Sequence, residues 1–296
     1  MKVAIIGANG QLGSDLVKAF GEEAIPLTRR DLDVTNLESL KILSELEPEV
    51  IINTAAYVRV DDAEIEVEKA FRVNAIGALN VAKVCDELNA VNVYISTDYV
   101  FDGAKGEPYE EDDVPNPINI YGASKYTGEI FTKNYSEKYY VIRVASLYGK
   151  AGARGKGGNF VDSMIQRAKK GEEIKVVNDM FMSSTYTKDI SRMLKRVLDL
   201  AINPEFGVYH MVNEGYCNWY DFTREIFNIL GWDAKIQITP IKSSELKRLA
   251  KRPTFSVLRN KKIKEIGVEM RSWREALRDY LIENGRIWIV NKENKG

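Results

Sequence analysis

The sequence predicts an α/β protein: a parallel sheet with helices on both faces, joined to a smaller α/β lobe. Three observations predict it. Short apolar runs alternate with helical stretches to about residue 150, which builds a parallel sheet covered on both sides. The first run passes through a glycine-spaced turn straight into a helix. The stretch KAGARGKGGNF then breaks the alternation, and a second set of elements follows.

The opening MKVAIIGANGQLGSDLVKAF sets the pattern. Val3 to Ile6 read as a buried strand, and Leu12, Leu16, Ala19 and Phe20 fall on one helix face. Between them Gly7, Gly10 and Gly13 stand in G-x-x-G-x-x-G spacing. Glycines let the backbone turn tightly and approach a diphosphate, whose charge the helix N-terminus attracts. An ordinary glycine turn is the alternative; a strand before and a helix after favour the phosphate site. AIPLT is a second strand, followed by RRDLDVTN. The end of such a strand meets the adenosine ribose. Arg29 and Arg30 are therefore candidates for a 2′-phosphate, which favours NADP over NAD; a solvated arginine pair is the alternative. Asp33 and Val34 are placed beside the adenine. EVIINTAA reads as a third, buried strand, whose small terminal residues leave room for a cofactor. One long helix is expected over about 63–89. VNVYIST is the next strand.

That strand ends in Thr97, and YGASK follows with Tyr121 and Lys125. The Y-x-x-x-K spacing puts the two side chains one turn apart on one helix face. Hydride reduction of a ketone yields an alkoxide that needs a proton. Free tyrosine, with a pKa of about 10, gives one up poorly at neutral pH. A neighbouring ammonium favours tyrosinate and lowers that value. The lysine also suits the nicotinamide ribose hydroxyls, and a Thr97 hydroxyl suits the carbonyl. The motif alone is common; its order after a glycine turn and a strand-end threonine gives it weight. The proline-rich stretch before Tyr121 reads as a loop over the site, and its acidic run, Glu110 to Asp113, as a solvated surface.

EEIKVVND and GVYHMVN read as strands, with about 176–212 returning to the main sheet. This divides the chain into a dinucleotide-binding domain over 1–150, a substrate lobe over 151–175 and 213–285, and a loose tail over 286–296. Arg154 and Lys156 make a basic loop, either closing over a diphosphate or simply mobile. In NWYDFTREIFNILG, the residues Trp219, Phe222, Ile226 and Ile229 form a core-facing side.

Composition narrows the functions. With 296 residues and 45% hydrophobic content the chain can bury a sizeable core. A net charge of −1 gives no bulk attraction to nucleic acid. No apolar run reaches the roughly 20 residues of a membrane span, and Lys2 followed by a short strand and glycines lacks a signal-peptide layout. A cytoplasmic setting is expected. The single histidine, His210, and two separate cysteines, Cys85 and Cys217, make no metal motif.

Together, G-x-x-G-x-x-G, the strand-end threonine and Y-x-x-x-K resemble an extended short-chain dehydrogenase/reductase with a Rossmann-type doubly wound sheet. STDYVFDG, GANGQLG, LDVTN, NTAAYVRVDDAE, NPINIYGASKYTGE and RPTFSVLRNKKI resemble more narrowly the dTDP-4-dehydrorhamnose reductase family, through to about Leu281. The resemblance implies reduction of the 4-keto group of dTDP-4-dehydro-β-L-rhamnose to dTDP-L-rhamnose, with NADPH as cofactor and NADH often accepted. It makes Thr97 the ketone polariser, Tyr121 the proton donor and Lys125 its support. Gly7, Gly10, Gln11, Leu12 and Gly13 would line the diphosphate; Ala55, Ala56 and Tyr57 would border the nicotinamide. Tyr99, Asn159 and Arg252 are candidates for the sugar nucleotide. Mg²⁺ dependence and a homodimer are left open. Leu147 departs from the family's usual tryptophan, and Met180 and Ser184-Thr185 replace its usual Gln and Pro-Thr. Three other readings stand beside this one. A dehydratase would need an Asp-Glu pair after Thr97, where Asp98-Tyr99 stands. An epimerase would return the hydride. A dinucleotide-binding regulatory subunit of methionine adenosyltransferase would not need the trio intact.

Overall fold

Side chains alternate along β1 (Val3–Ile6), and all four are buried. Val3 and Ile5 pack with Leu12, Leu16 and Phe20 of α1 (Gln11–Phe20) and with Ile190 and Leu194. Ala4 and Ile6 face the other way, onto Leu27, Leu40, Val81 and Cys85. Cover on both faces is why the strand reads as an unbroken apolar run. The computed structural model describes residues 1–152, 158–199 and 205–286; Arg154, Lys156 and the tail from 287 onward lie outside them.

Further strands are β2 (Ala24–Leu27), β3 (Val50–Asn53), β4 (Val91–Thr97) and β5 (Tyr139–Val144). With Gly207–His210 they make one parallel six-stranded sheet, in the order Gly207–His210, β5, β4, β3, β1, β2. Val3 pairs with Ala24 on one side and Val50 on the other. Strand order reverses between β1 and β3, and ligands of such sheets bind outside the carboxyl ends at that reversal. The glycine turn, Thr54–Ala56 and Thr97 all lie at those ends.

A second core gathers Tyr148, Ile165, Met182, Phe222, Ile226, Trp273 and Tyr280, with Trp219 and Ile229 against it. The segment Ile174–Val177 belongs here: it pairs in parallel with Ile238–Ile241 instead of rejoining the large sheet. Gly207–His210 does rejoin it. Two short strand-like runs thus go to different sheets, a choice that local pattern does not encode.

The stretch expected as one helix over 63–89 is broken. Helices Val60–Ala63 and Val67–Phe71 are followed by a π turn, Arg72–Ile76, and the helix Gly77–Glu87. The Glu64 carboxylate at the break accepts from the Ile120 N–H, 2.9 Å away. The π turn sets fully buried Asn74 against the Tyr57 backbone and the Ser124 hydroxyl. Both breaks serve long-range hydrogen bonds that an unbroken helix would forgo.

The acidic run is solvated only in part. Glu110 pairs with Arg259 and Lys261, and Asp112 with Lys262. Glu111 is buried and accepts from the His210 and Lys262 N–H groups.

Candidate active site

Gly7 follows β1 with φ +80°, and a Cβ there would lie 2.6 Å from Thr54 Oγ1. Only glycine suits both limits. Thr54 Oγ1 donates to the Ile6 carbonyl at 2.7 Å, tying the end of β3 to the turn. A Cβ at Gly13 would overlap the Gly7 carbonyl oxygen, so the spacing lets α1 sit directly on the turn. Gly10 caps α1 without a side chain, and the first turn carries no acidic residue. The first N–H groups of α1 are thus open to an anion. Gln11 Nε2 donates to the Leu147 carbonyl at 3.0 Å, while its buried Oε1 has no partner among the described residues. An uncapped helix start and an orphaned acceptor fit a dinucleotide bound along the turn.

Leu12 and Val34 turn their side chains into the core. Leu12 packs in the sheet core, leaving its backbone to face a diphosphate. Val34 is buried beside Gly77, and its carbonyl accepts from Asn80. Arg29 is exposed and pairs with Asp33 at 3.1 Å, and Asp33 also accepts from Thr35. Arg30 is exposed beside them. Ala55 and Ala56 follow β3, half-buried. The Tyr57 hydroxyl donates to Glu66, and burial together with Glu66 pushes the phenol up to about 12.

Thr97 ends β4 in extended conformation. Its hydroxyl accepts from the Tyr99 N–H at 3.2 Å and donates to Asp98 at 2.9 Å. Tyr121 opens the helix Ile120–Tyr135, which Asn119 caps by accepting from the Gly122 N–H at 2.7 Å. Tyr121 stands edge-on to Tyr99, with ring centroids 5.9 Å apart. Burial raises its phenol well above the ordinary range, and a hydrogen bond with Thr97 opposes the rise. The tyrosine is therefore a protonated acid at neutral pH. Lys125 lies one turn on, fully enclosed. Its Nζ donates to the Ile95 carbonyl at 2.6 Å and sits 4.1 Å from the Tyr94 ring centre. Burial pulls the amine down to about 7, against the attraction of Glu129. The expected lowering of Tyr121 by a neighbouring ammonium thus gives way to burial, which acts on both groups.

Tyr99 brings in the second lobe. Burial and Asp98 push its phenol up to about 12, and a hydrogen bond with Arg252 opposes them. Arg252 grips Asp61 through two bonds of 3.1 and 2.6 Å. Asp61 also accepts from the Ala250 N–H, and Asn119 donates to the Lys251 carbonyl. The segment 250–252 is thereby fastened beside Tyr121. Arg248 adds a second guanidinium, with Nη1 3.4 Å from Met180 Sδ. Asp61 and Arg248 were not anticipated from sequence; the four-residue spacing of Arg248 and Arg252 was a weak signal for them. Asn159 is held by its own lobe. It caps the helix Phe160–Lys169 by accepting from the Asp162 N–H, and its amide shares two hydrogens among the Gly149 carbonyl, Asp162 and the Tyr280 hydroxyl. Its side chain is fully engaged within the protein. Among the described residues no group of three or more His, Cys, Asp or Glu side chains could hold a metal ion, and no helix is long and apolar enough to cross a membrane.

Comparison with known proteins agrees with this geometry. The family model described as RmlD substrate binding domain matches residues 1–285. A spore coat polysaccharide biosynthesis protein of Bacillus subtilis is 38% identical, over 95% of this chain and 97% of the relative. A dTDP-4-dehydrorhamnose reductase of Aggregatibacter actinomycetemcomitans is 35% identical, over 94% and 97%. The structure of a Bacillus anthracis dTDP-4-dehydrorhamnose reductase in complex with NADP superposes with a TM-score of 0.89 at 41% identity, covering 96% of this chain and 100% of that one. With its glycine turn, strand-end threonine and Tyr-Lys helix in one continuous match, the chain belongs to the RmlD substrate binding domain family, that of the dTDP-4-dehydrorhamnose reductases.

Proposed function

We propose that this chain reduces the 4-keto group of dTDP-4-dehydro-β-L-rhamnose to give dTDP-L-rhamnose, using NADPH. The observation that carries the reading is Tyr121 hydrogen-bonded to Thr97 at the carboxyl end of β4, with Lys125 one turn on along the helix and α1 uncapped. NADPH supplies the hydride when bound, its diphosphate along Gly7, Gly10 and Gly13. The chain's own groups do the rest. The Thr97 hydroxyl turns its one proton from Asp98 to the ketone oxygen and fixes its direction. Tyr121, held protonated by burial, gives its proton to that oxygen as charge develops there. Lys125 then faces the tyrosinate as a cation and offers N–H donors to the ribose hydroxyls. Arg252, with Arg248 behind it, suits the substrate diphosphate. Two buried thiols, Cys85 and Cys217, suit a reducing, cytoplasmic setting.

Leu147 favours a second reading of the same reaction. A leucine gives the sugar no flat ring to pack on, which suits a different dTDP-4-keto sugar. A relative from Streptomyces niveus, 34% identical, is named dTDP-4-keto-6-deoxy-D-glucose reductase. The test is NADPH oxidation with each ketosugar in turn, wild type beside Tyr121→Phe and beside an Arg29→Ala, Arg30→Ala double variant. Turnover that collapses in Tyr121→Phe supports the reading; no turnover with either sugar while NADPH binds overturns it. An unchanged preference for NADPH over NADH in the double variant removes the arginines from 2′-phosphate recognition.

A further inference from the structure

Behind the catalytic helix lies a buried ion pair that the reaction as described does not use. Glu129 is one turn beyond Lys125 on the same helix face, and is 1% exposed. Arg143 of β5, 3% exposed, grips it through Nε at 3.0 Å and Nη2 at 2.8 Å. Ser96, next to Thr97, donates its hydroxyl to the same carboxylate at 2.6 Å. The pair therefore joins the strand bearing Thr97, the helix bearing Tyr121 and Lys125, and the neighbouring strand.

Lys125 itself has little to hold a charge. Among the described residues its ammonium meets one carbonyl, Ile95, and one ring, Tyr94. Tyr121 stands on its own helix and Tyr94 on β4, both phenols neutral, and Asp98 acts on Tyr121. Among the described residues Glu129 is the one charged group acting on the lysine, against full desolvation. An ammonium so enclosed loses its proton readily unless a fixed anion opposes the loss. Arg143 in turn offsets part of the Glu129 charge. The field at Lys125 is the difference of the two.

We propose that Glu129 is the positioning residue that keeps Lys125 a cation in the reacting enzyme, with Arg143 setting how strongly it does so. The inference rests on the reading of Tyr121 and Lys125 given above. Proton transfer from Tyr121 leaves a phenolate, which a cationic lysine stabilises and a neutral one does not. A purely structural ion pair would hold the three elements together and leave the lysine's charge alone.

The experiment is the pH profile of kcat for wild type, Glu129→Gln and Arg143→Met, with NADPH affinity measured at each pH and Lys125→Met alongside. Glu129→Gln keeps the shape but removes the anion and exposes Lys125 to Arg143. Its alkaline limb moves down by about one pH unit or more. Arg143→Met frees the full charge of Glu129, and its limb moves up. Opposite shifts from the two halves of one ion pair are not produced by loosened packing. Limbs that stay in place, or activity lost by one factor at every pH, overturn the proposal. If Glu129→Gln fails to fold, the upward shift in Arg143→Met decides alone. A Lys125→Met enzyme as active as wild type sinks the reading of the site and this inference with it; an inactive one beside unmoved limbs sinks only the inference.

Discussion

Replacing Gly13 by alanine tests the account of the glycine turn most directly. The new Cβ overlaps the Gly7 carbonyl oxygen and lies 2.9 Å from the Gly7 carbonyl carbon and 3.0 Å from Ala8 Cα. All three are backbone atoms, so no side-chain rotation relieves the contact, and α1 has to withdraw by about 1 Å. Overpacking of this kind costs about 1–3 kcal/mol. A stiffer unfolded chain returns about 0.4–1 kcal/mol of that. The melting temperature should fall by roughly 2–4 °C for each kcal/mol that remains. The same withdrawal carries the first N–H groups of α1 away from the diphosphate. Losing one charge-assisted hydrogen bond of about 1.5–3 kcal/mol weakens NADPH binding by about tenfold or more. Thermal denaturation and NADPH titration should be run beside Gly207→Ala, where an added Cβ meets nothing within 4 Å. A Gly13→Ala protein as stable as that control, with NADPH affinity intact, would refute the reasoning.

Two further outcomes are expected. Asn159→Ala removes a helix cap and the bonds to Gly149 and Tyr280, so urea denaturation should show a loss of about 1–2 kcal/mol with little change in KM for the sugar nucleotide. A tenfold rise in KM at unchanged stability would return the residue to the substrate site. His210 is buried and pulled well below its usual range, chiefly by desolvation and then by Arg143. Below about pH 6.5 an unfolded chain takes up a proton that the folded one refuses, so stability falls with pH, by at most about 1.4 kcal/mol per unit. His210→Asn keeps a donor for the Arg259 carbonyl, 3.1 Å from Nδ1, and should flatten that slope. Parallel urea titrations between about pH 5 and 7 check this, and equal slopes in both proteins would contradict it.

Much of the site was legible because its signals are local. Strand, glycine turn and helix follow one another within the first twenty residues. The strand Val91–Thr97 begins and ends where VNVYIST does, and Y-x-x-x-K needs one helix and nothing else. Period and spacing determine such features, since neighbours on a helix face or strand end are fixed by the chain's own geometry.

Other features depended on residues far apart in sequence. Asp61 meets Arg252, Lys125 meets the Ile95 carbonyl, Ile174–Val177 finds Ile238–Ile241, and Glu111 is buried against His210. The sequence alone determined an α/β reductase core with its threonine, tyrosine and lysine in order. Tertiary structure alone decided which apolar runs share a sheet, which polar side chains are already engaged, and how burial sets the charges on Tyr121 and Lys125. Desolvation belongs to the packed molecule: the same tyrosine and lysine, one turn apart on an exposed helix, would keep their ordinary protonation.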